Sequence, residues 1–154
     1  MSTIKHRVRQ AGVYFVTTDT WQRRALFKNQ KLAEVVVDQL LQCRDRGFYQ
    51  LHAFVLMPDH LHVLLTPTEN SSLEKAVQMI KGGSAFRIKK ELLYQFPIWH
   101  EGFHDRWMRD ESEYQPRLHY IAQNPVAAKL ILTPTEYPWS SATGKWRMDE
   151  AHFD

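Results

Sequence analysis

The chain has a single cysteine, Cys43, in 154 residues, so no disulfide can form within it. That composition is typical of a reducing compartment. The sequence also lacks an apolar run long enough to cross a bilayer, and it contains no repeat or low-complexity tract. Its first ten residues, Met1–Gln10, are polar and basic, unlike a signal peptide. The single cysteine excludes a scaffold held by internal disulfides, and we expect a soluble cytoplasmic protein without a signal peptide.

The charge of the chain is modest overall but unevenly distributed. The net charge is +3, yet the stretch from Lys5 to Lys31 contains seven basic residues and only one acid, Asp19. Further basic residues cluster in two places: Lys81, Arg87, Lys89 and Lys90, and then Arg106 and Arg109. Clustered Lys and Arg indicate a polyanionic partner such as nucleic acid. A solvated surface explains the charge alone at least as well.

The spacing of apolar residues predicts four strands and three helices. Strands are expected at Gly12–Thr18, Phe48–Met57 and His60–Thr66, and at about Phe103–Met108. Helices are expected from about Leu26 to Arg46, from a cap at Ser71 or Ser72 through Leu93, and from about Glu111 to Asn124, where Pro125 ends the last one. Gly82-Gly83 either interrupts the second helix or lets another backbone come close.

The order of these elements predicts an α+β fold in one domain, residues 1–154. Strand, helix, strand, strand, helix and strand follow one another, which is the ferredoxin-like β-α-β-β-α-β arrangement of an antiparallel sheet with its helices on one face. The other face is left for a ligand or for the last helix. We expect the core at about residues 12–132 and a C-terminal tail at 133–154.

Two histidines follow the tight turn of the predicted hairpin, in the sequence Pro58-Asp59-His60-Leu61-His62. Side chains alternate along a strand, so His60 and His62 point the same way, with Cα atoms about 6–7 Å apart. One divalent ion can bridge that gap. Either histidine alone would more simply be an ordinary half-buried residue, but the pair favours a metal site.

The third predicted helix carries a tyrosine and an asparagine one turn apart. Tyr120 and Asn124 are separated by four residues and therefore share a helix face. Each also has an ordinary structural explanation, because Asn124 could cap the helix end before Pro125 and Tyr120 could pack on the sheet.

Together these two segments resemble the single-tyrosine HUH transposases, in particular the branch of REP-associated tyrosine transposases. The likeness is carried by Pro58–His62 and by the sequence YIAQNPV at 120–126, and it extends from Gly12 to Ser141. It implies that Tyr120 is the nucleophile and that His60, His62 and Asn124 are the metal ligands. Two departures are His100 after Trp99, where many relatives have Gln, and Ala128-Lys129, where a Gly often follows a basic residue.

The chemistry of the residues agrees with this resemblance. A phenol is a weak nucleophile at neutral pH, and a divalent ion can polarise a phosphate and orient the leaving oxygen. We expect Mg²⁺ or Mn²⁺, of which Mn²⁺ binds imidazole better. Attack by Tyr120 would give a 5′-phosphotyrosine and a free 3′-OH, and the reverse step would join strands.

The resemblance further implies a single-stranded DNA substrate with a REP-like hairpin, bound by a monomer or a homodimer in the cytoplasm at the nucleoid. Basic side chains can follow a DNA backbone, and exposed aromatic rings can stack on bases. Trp99, Phe103 and Trp107 could stack in this way, although core packing explains each of them individually. The candidate DNA contacts are Lys81, Arg87, Lys89, Arg106 and Arg109.

Two other interpretations compete with the transposase. His100-Glu101-Gly102-Phe103-His104 matches the zinc-protease pattern H-E-x-x-H, but that motif requires a helix, and Gly102 in its middle argues against one. The second alternative is a ferredoxin-like module that binds nucleic acid without cutting it. A replication initiator or relaxase would share the transposase chemistry, but such proteins usually bring further domains.

Overall fold

The computed structural model describes residues 9–153. Lys5 and Arg7 of the basic stretch lie outside the described residues, as does most of Met1–Gln10, where no signal peptide is expected. None of the helices within residues 9–153 is long and apolar enough to cross a membrane.

Four antiparallel strands form one sheet, and three helices pack on it. The strands are β1 (Tyr14–Asp19), β2 (Tyr49–Met57), β3 (His60–Pro67) and β4 (His104–Trp107), in the spatial order β2-β3-β1-β4. The helices are α1 (Gln30–Asp45), α2 (Leu73–Leu92) and α3 (Glu111–Ala127). This order confirms the predicted ferredoxin-like fold.

Each face of the sheet has its own hydrophobic core. On one face, α1 and α2 pack against side chains such as Val16, Leu61 and Val63. On the other face, α3 and the C-terminal segment cover Phe15, Val55 and neighbouring residues. Alternation along the strands assigns every second residue to each core. The third helix therefore occupies the face that the sequence left open.

Two predicted helix boundaries were wrong. The first helix begins at Gln30 rather than Leu26, because the Asn29 side chain caps it by accepting hydrogen bonds from the backbone N–H groups of Lys31 (2.9 Å) and Leu32 (3.3 Å). The third helix continues through Pro125 to Ala127. Proline removes one backbone hydrogen bond there, but Pro125 is buried, and its burial offsets part of the loss.

The two glycines of α2 leave the helix unbroken and serve a close approach instead. The approach is made by a side chain rather than the backbone that was expected: a Cβ on Gly83 would lie 2.0 Å from Nε2 of Gln39 on α1. The buried Gln39 amide donates to the Met79 carbonyl (3.0 Å). Gly83 therefore makes room for a polar contact between the two helices.

The C-terminal tail pairs with the free edge of β2. Leu56 donates its N–H to the Trp139 carbonyl (2.8 Å), and Asp149 donates its N–H to the Leu51 carbonyl (2.7 Å). The Asp149 carboxylate accepts the N–H of Leu51 in return (2.8 Å). These bonds cover an edge that would otherwise be open to strand pairing with another chain.

We predict opposite effects from alanine at the two neighbouring glycines. Gly83→Ala forces the Gln39 amide out of place and should lower the free energy of unfolding by about 1–3 kcal/mol. Gly82→Ala is the matched control, because a Cβ there meets nothing within 4 Å, and it should raise stability by about 0.5–1 kcal/mol. Urea unfolding measures both. Equal effects of the two substitutions would contradict the close packing at Gly83.

Candidate active site

The register of β1 against β3 gathers polar side chains on the face that α3 covers. Thr17 pairs with His62 and Asp19 pairs with His60, so these four side chains share one face of the sheet. The prediction that both histidines point the same way is confirmed: their ring centroids are 4.6 Å apart, with the planes at 75°.

Each imidazole is held through its Nδ1 atom. His60 Nδ1 lies 2.7 Å from Oδ1 of Asp59, and His62 Nδ1 lies 2.8 Å from Oγ1 of Thr17. Both Nε2 atoms are consequently left for another ligand. In metal sites a carboxylate or hydroxyl on one ring nitrogen commonly orients the other nitrogen toward the ion.

An arginine fixes the acidic residue of this arrangement in turn. Arg23 forms ion pairs with Asp59 (3.3 Å) and Asp19 (2.9 Å), and Thr20 donates its backbone N–H to the Asp59 carbonyl (2.9 Å). Burial alone would raise the pKa of the Asp59 carboxyl, but the hydrogen bond with His60 and the nearby charges lower it. Asp59 is therefore ionised when it holds His60.

His62 is kept neutral by its surroundings. Only 6% of its surface is exposed, and this burial lowers its pKa to about 3, helped by the nearby charges of His60, Arg117 and Arg23. Neutral imidazole is the form that binds metal ions. The side chain is thus in the protonation state that a ligand requires.

The structure places Tyr120 against this histidine pair. Its ring centroid lies 5.3 Å from that of His62 and 6.2 Å from that of Phe15. Helix α3 packs on the sheet through an apolar seam, which is made of Tyr114, Leu118, Ile121 and Pro125. Tyr120 lies beside this seam. Tyr120 is 44% exposed, whereas four of the other five tyrosines are buried. Its side chain is therefore accessible to a large substrate.

Arg117 is a site residue that the sequence did not reveal. Its guanidinium carbon lies 4.9 Å from the ring centroid of Phe15, which stacks on His62 at 5.3 Å with an interplanar angle of 19°. It borders an open groove of about 330 Å³ beside the tyrosine, which is lined by Arg106, Met108, Glu113, Pro116, Arg117 and Tyr120. The one available signal was its position three residues before Tyr120, on the same side of a helix.

The remaining predicted ligand, Asn124, lies one turn beyond Tyr120 on α3 and is half-buried. Among residues 9–153 there is no group of three or more His, Cys, Asp or Glu side chains placed to hold a metal. The assignment of Asn124 as third ligand stays a prediction.

The predicted DNA contacts fall on different parts of the molecule. Arg106 pairs with Phe15 across the sheet and lines the groove beside Tyr120. Lys81 donates to the His100 carbonyl (2.9 Å), and Arg87 forms ion pairs with Asp38 (2.8 Å) and Glu91 (3.0 Å) in the helix layer of the opposite face.

The other two candidates, Lys89 and Arg109, are exposed, and Arg109 lies near Asp110 (3.6 Å) and Glu113 (3.8 Å). Of the five, Arg106 is thus the one placed at the tyrosine. The DNA-binding roles of all five stay predictions.

The H-E-x-x-H match does not form a zinc-protease site. Residues 100–103 are irregular, Gly102 has φ +80°, and His104 begins β4. The irregular backbone confirms that the pattern is a coincidence of sequence.

Trp99 has the core-packing role that was the alternative to base stacking. Its ring packs on Phe27 (5.3 Å between centroids), and its indole N–H donates to the Ser84 hydroxyl (3.0 Å).

The sheet presents His60 and His62 to the exposed Tyr120 on α3. This arrangement agrees with the resemblance to single-tyrosine transposases. The comparison with known families agrees. Residues 10–124 match the family model described as "Transposase IS200 like", and the chain therefore belongs to this family.

Relatives of the chain include REP-associated tyrosine transposases. One, from Escherichia coli strain K12, is 25% identical over 148 residues, which cover 92% of this chain and 82% of the relative. A Haemophilus influenzae protein whose name places it in the same group is 23% identical over 151 residues, covering 92% and 85%. The structure also resembles that of a REP-associated tyrosine transposase bound to a REP hairpin. The TM-score is 0.73 at 20% identity, covering 99% of this chain and 92% of that one, which supports the fold.

We predict that acid destabilises the metal-free protein through His62. A histidine whose folded pKa lies below its unfolded value contributes fully above the unfolded value of about 6.5, and this contribution is lost as the pH falls toward the folded value of about 3. The loss reaches up to about 1.4 kcal/mol per pH unit. Urea unfolding with a chelator, at pH values between about 7 and 4, should show a shallower pH dependence for His62→Gln. The same slope in both proteins would contradict the buried, neutral imidazole.

Proposed function

We propose that this transposase cleaves and rejoins single-stranded DNA at hairpin-forming, REP-like sequences by linking Tyr120 covalently to the DNA. The observation that carries the proposal is the position of Tyr120: its ring is 5.3 Å from that of a neutral histidine, and it is 44% exposed. A nucleophile must combine such accessibility with nearby groups that assist it.

The proposed step is a transesterification. The Tyr120 hydroxyl oxygen forms a bond to the scissile phosphorus while the bond from phosphorus to the 3′ oxygen breaks. The phenol gives up its proton, and the departing 3′ oxygen takes one, which leaves a 5′-phosphotyrosine and a free 3′-OH. The number of phosphodiester bonds is conserved, so attack by another 3′-OH reverses the step and joins strands.

The residues present fit a divalent metal ion. His60 and His62 would hold Mg²⁺ or Mn²⁺ through their Nε2 atoms, since both Nδ1 atoms are engaged by Asp59 and Thr17, and the amide oxygen of Asn124 would be the third ligand. The bound ion would supply neutralisation of charge on the phosphate and orientation of its oxygens. The neutral state of His62 supports this assignment.

Two guanidinium groups support a DNA phosphate in the groove beside Tyr120. Arg106 and Arg117 both line it, and the carboxylate that also lines it, Glu113, lies near Arg109 (3.8 Å) instead. Arginine binds phosphate oxygens in a fixed, bidentate geometry. We assign this groove to the phosphate that Tyr120 attacks or to its neighbour on the strand.

The substrate class follows from the site and from its relatives. The phenol stands at the edge of a sheet and a helix and cannot reach a phosphate within an intact, paired duplex easily, which favours an unpaired strand. A structural neighbour was solved with a REP hairpin, and related proteins bear REP in their names. A hairpin with an unpaired flank is accordingly the proposed substrate.

Substitution of the nucleophile tests the proposal most simply. With Mn²⁺ and single-stranded oligonucleotides that carry palindromes from the source genome, the wild-type protein should form a denaturant-resistant adduct, which mass spectrometry should map to Tyr120. Tyr120→Phe should abolish adduct and cleavage while DNA binding persists. Tyr114→Phe, at a buried tyrosine of the same helix whose ring packs on His52 (6.2 Å between centroids), is the matched control and should retain both. Cleavage that survives in Tyr120→Phe would refute the mechanism. DNA binding without any cleavage by the wild type would favour the non-catalytic binding module.

We also predict that Thr17 sets metal affinity without being a ligand. Thr17→Val preserves the shape but removes the oxygen that holds His62 Nδ1 at 2.8 Å, and it should weaken Mn²⁺ binding about 10–100-fold. Thr17→Ser keeps the oxygen and should bind Mn²⁺ nearly as the wild type does. Calorimetric titration with Mn²⁺ provides the measurement. Equal affinities for the valine and serine variants would show that this hydrogen bond does not orient the ligand.

A further inference from the structure

A cation held between aromatic rings lies on the surface just beyond the active-site end of β1. The guanidinium carbon of Arg24 is 4.8 Å from the Trp21 ring centroid and 5.8 Å from that of Phe96. Tyr94 meets Phe96 edge to face, with centroids 5.8 Å apart. We call these four residues, Trp21, Arg24, Tyr94 and Phe96, the Arg24 platform.

Phe96 and Arg24 of the platform are exposed to solvent, so burial in the core does not explain them. Phe96 is 53% exposed, and Arg24 is also exposed. Within residues 9–153, no carboxylate forms an ion pair with Arg24, whereas the adjacent Arg23 holds two. The platform therefore offers aromatic faces together with an uncompensated positive charge.

The backbone beneath the platform is fixed to the active site. Trp21 donates its N–H to the Ile98 carbonyl (2.9 Å), and Phe27 donates to the carbonyl of Pro58 (3.0 Å), which precedes the Asp59-His60 pair. Trp21 lies only two residues beyond Asp19, which pairs with His60 across the sheet.

The turn itself is strained. Gln22 and Arg23 both adopt left-handed conformations, with φ of 56° and 54°. Such conformations in non-glycine residues are unfavourable and concentrate at functional sites. In this turn the Arg23 side chain pairs with the two aspartates, while the guanidinium group of the next residue, Arg24, lies over the Trp21 and Phe96 rings.

We propose that the Arg24 platform binds an unpaired nucleobase of the DNA strand that enters or leaves the active site. Aromatic faces stack on any base, and arginine adds a cationic, stackable plane that matches a polyanion. Bases in a duplex already stack on each other and cannot offer their faces. The inference rests on the proposed function for the identity of the strand, but base stacking does not depend on the cleavage chemistry.

The test compares binding of single-stranded and duplex DNA by surface variants. Phe96→Leu removes the ring while keeping an apolar side chain at an exposed position, so folding should be preserved, as circular dichroism can verify. With a fluorescently labelled oligothymidylate, anisotropy should show a loss of affinity of between about fivefold and a hundredfold. Because no charge is removed, the dependence of affinity on salt should not change.

Two further variants sharpen the comparison. Arg24→Gln should weaken binding of the same oligonucleotide and also reduce the salt dependence by roughly 0.7 in logarithmic slope. Phe86→Leu is the matched control, because Phe86 is 65% exposed and also carries a cation, Lys90, at 5.8 Å from its ring centroid. It should bind as the wild type does.

Several outcomes would overturn the platform. One is an unchanged affinity of Phe96→Leu for oligothymidylate, and another is an equal loss of its affinity for a duplex of the same length. An equal loss of oligothymidylate affinity in Phe86→Leu would also overturn it. So would a change in sedimentation showing that a second copy of the chain occupies the platform. If the wild type forms no covalent adduct but Phe96→Leu still loses single-strand affinity, the proposed cleavage fails and the platform stands.

Discussion

The site depends on one constraint, the antiparallel register of β1 against β3. That register sets Thr17 opposite His62 and Asp19 opposite His60, and so provides the imidazoles with polar neighbours on one side of the sheet. A shift by one residue would turn every one of these side chains toward the opposite core. The apolar residues that alternate with them, Val16, Leu61 and Val63, make such a shift costly because they are buried under α1 and α2.

The same face combines two environments that the proposed cleavage requires. His62 is almost completely buried and neutral, so it can serve as a ligand, while Tyr120 stays open to a large substrate. Helix α3 separates the two because its apolar seam anchors it to the sheet and its tyrosine lies at the margin of that seam. Arg117 stands on the same margin and brings positive charge to the groove where a phosphate would lie.

Local patterns in the sequence were sufficient to predict the fold and to select the candidate site residues His60, His62 and Tyr120. Alternation predicted the strands and the common face of the two histidines, and helical spacing predicted the three helices. The errors occurred where tertiary contacts overrule local preference, as at Pro125, whose burial lets α3 continue through a proline. Thr17 and Arg117 could not be found from local sequence because their roles depend on strand register and on how α3 docks. The Arg24 platform likewise joins residues about seventy positions apart in the chain.

Family membership, fold and site geometry support one central proposal, that His60 and His62 present their Nε2 atoms to a shared ion beside the hydroxyl of Tyr120. A crystal structure of the protein with Mn²⁺, with the ion located by its anomalous scattering, tests this claim most directly. We expect a single strong peak bonded to both Nε2 atoms, with the Asp59 and Thr17 hydrogen bonds to Nδ1 intact. An ion bound through Nδ1, or bound at His100 and His104 instead, would contradict it.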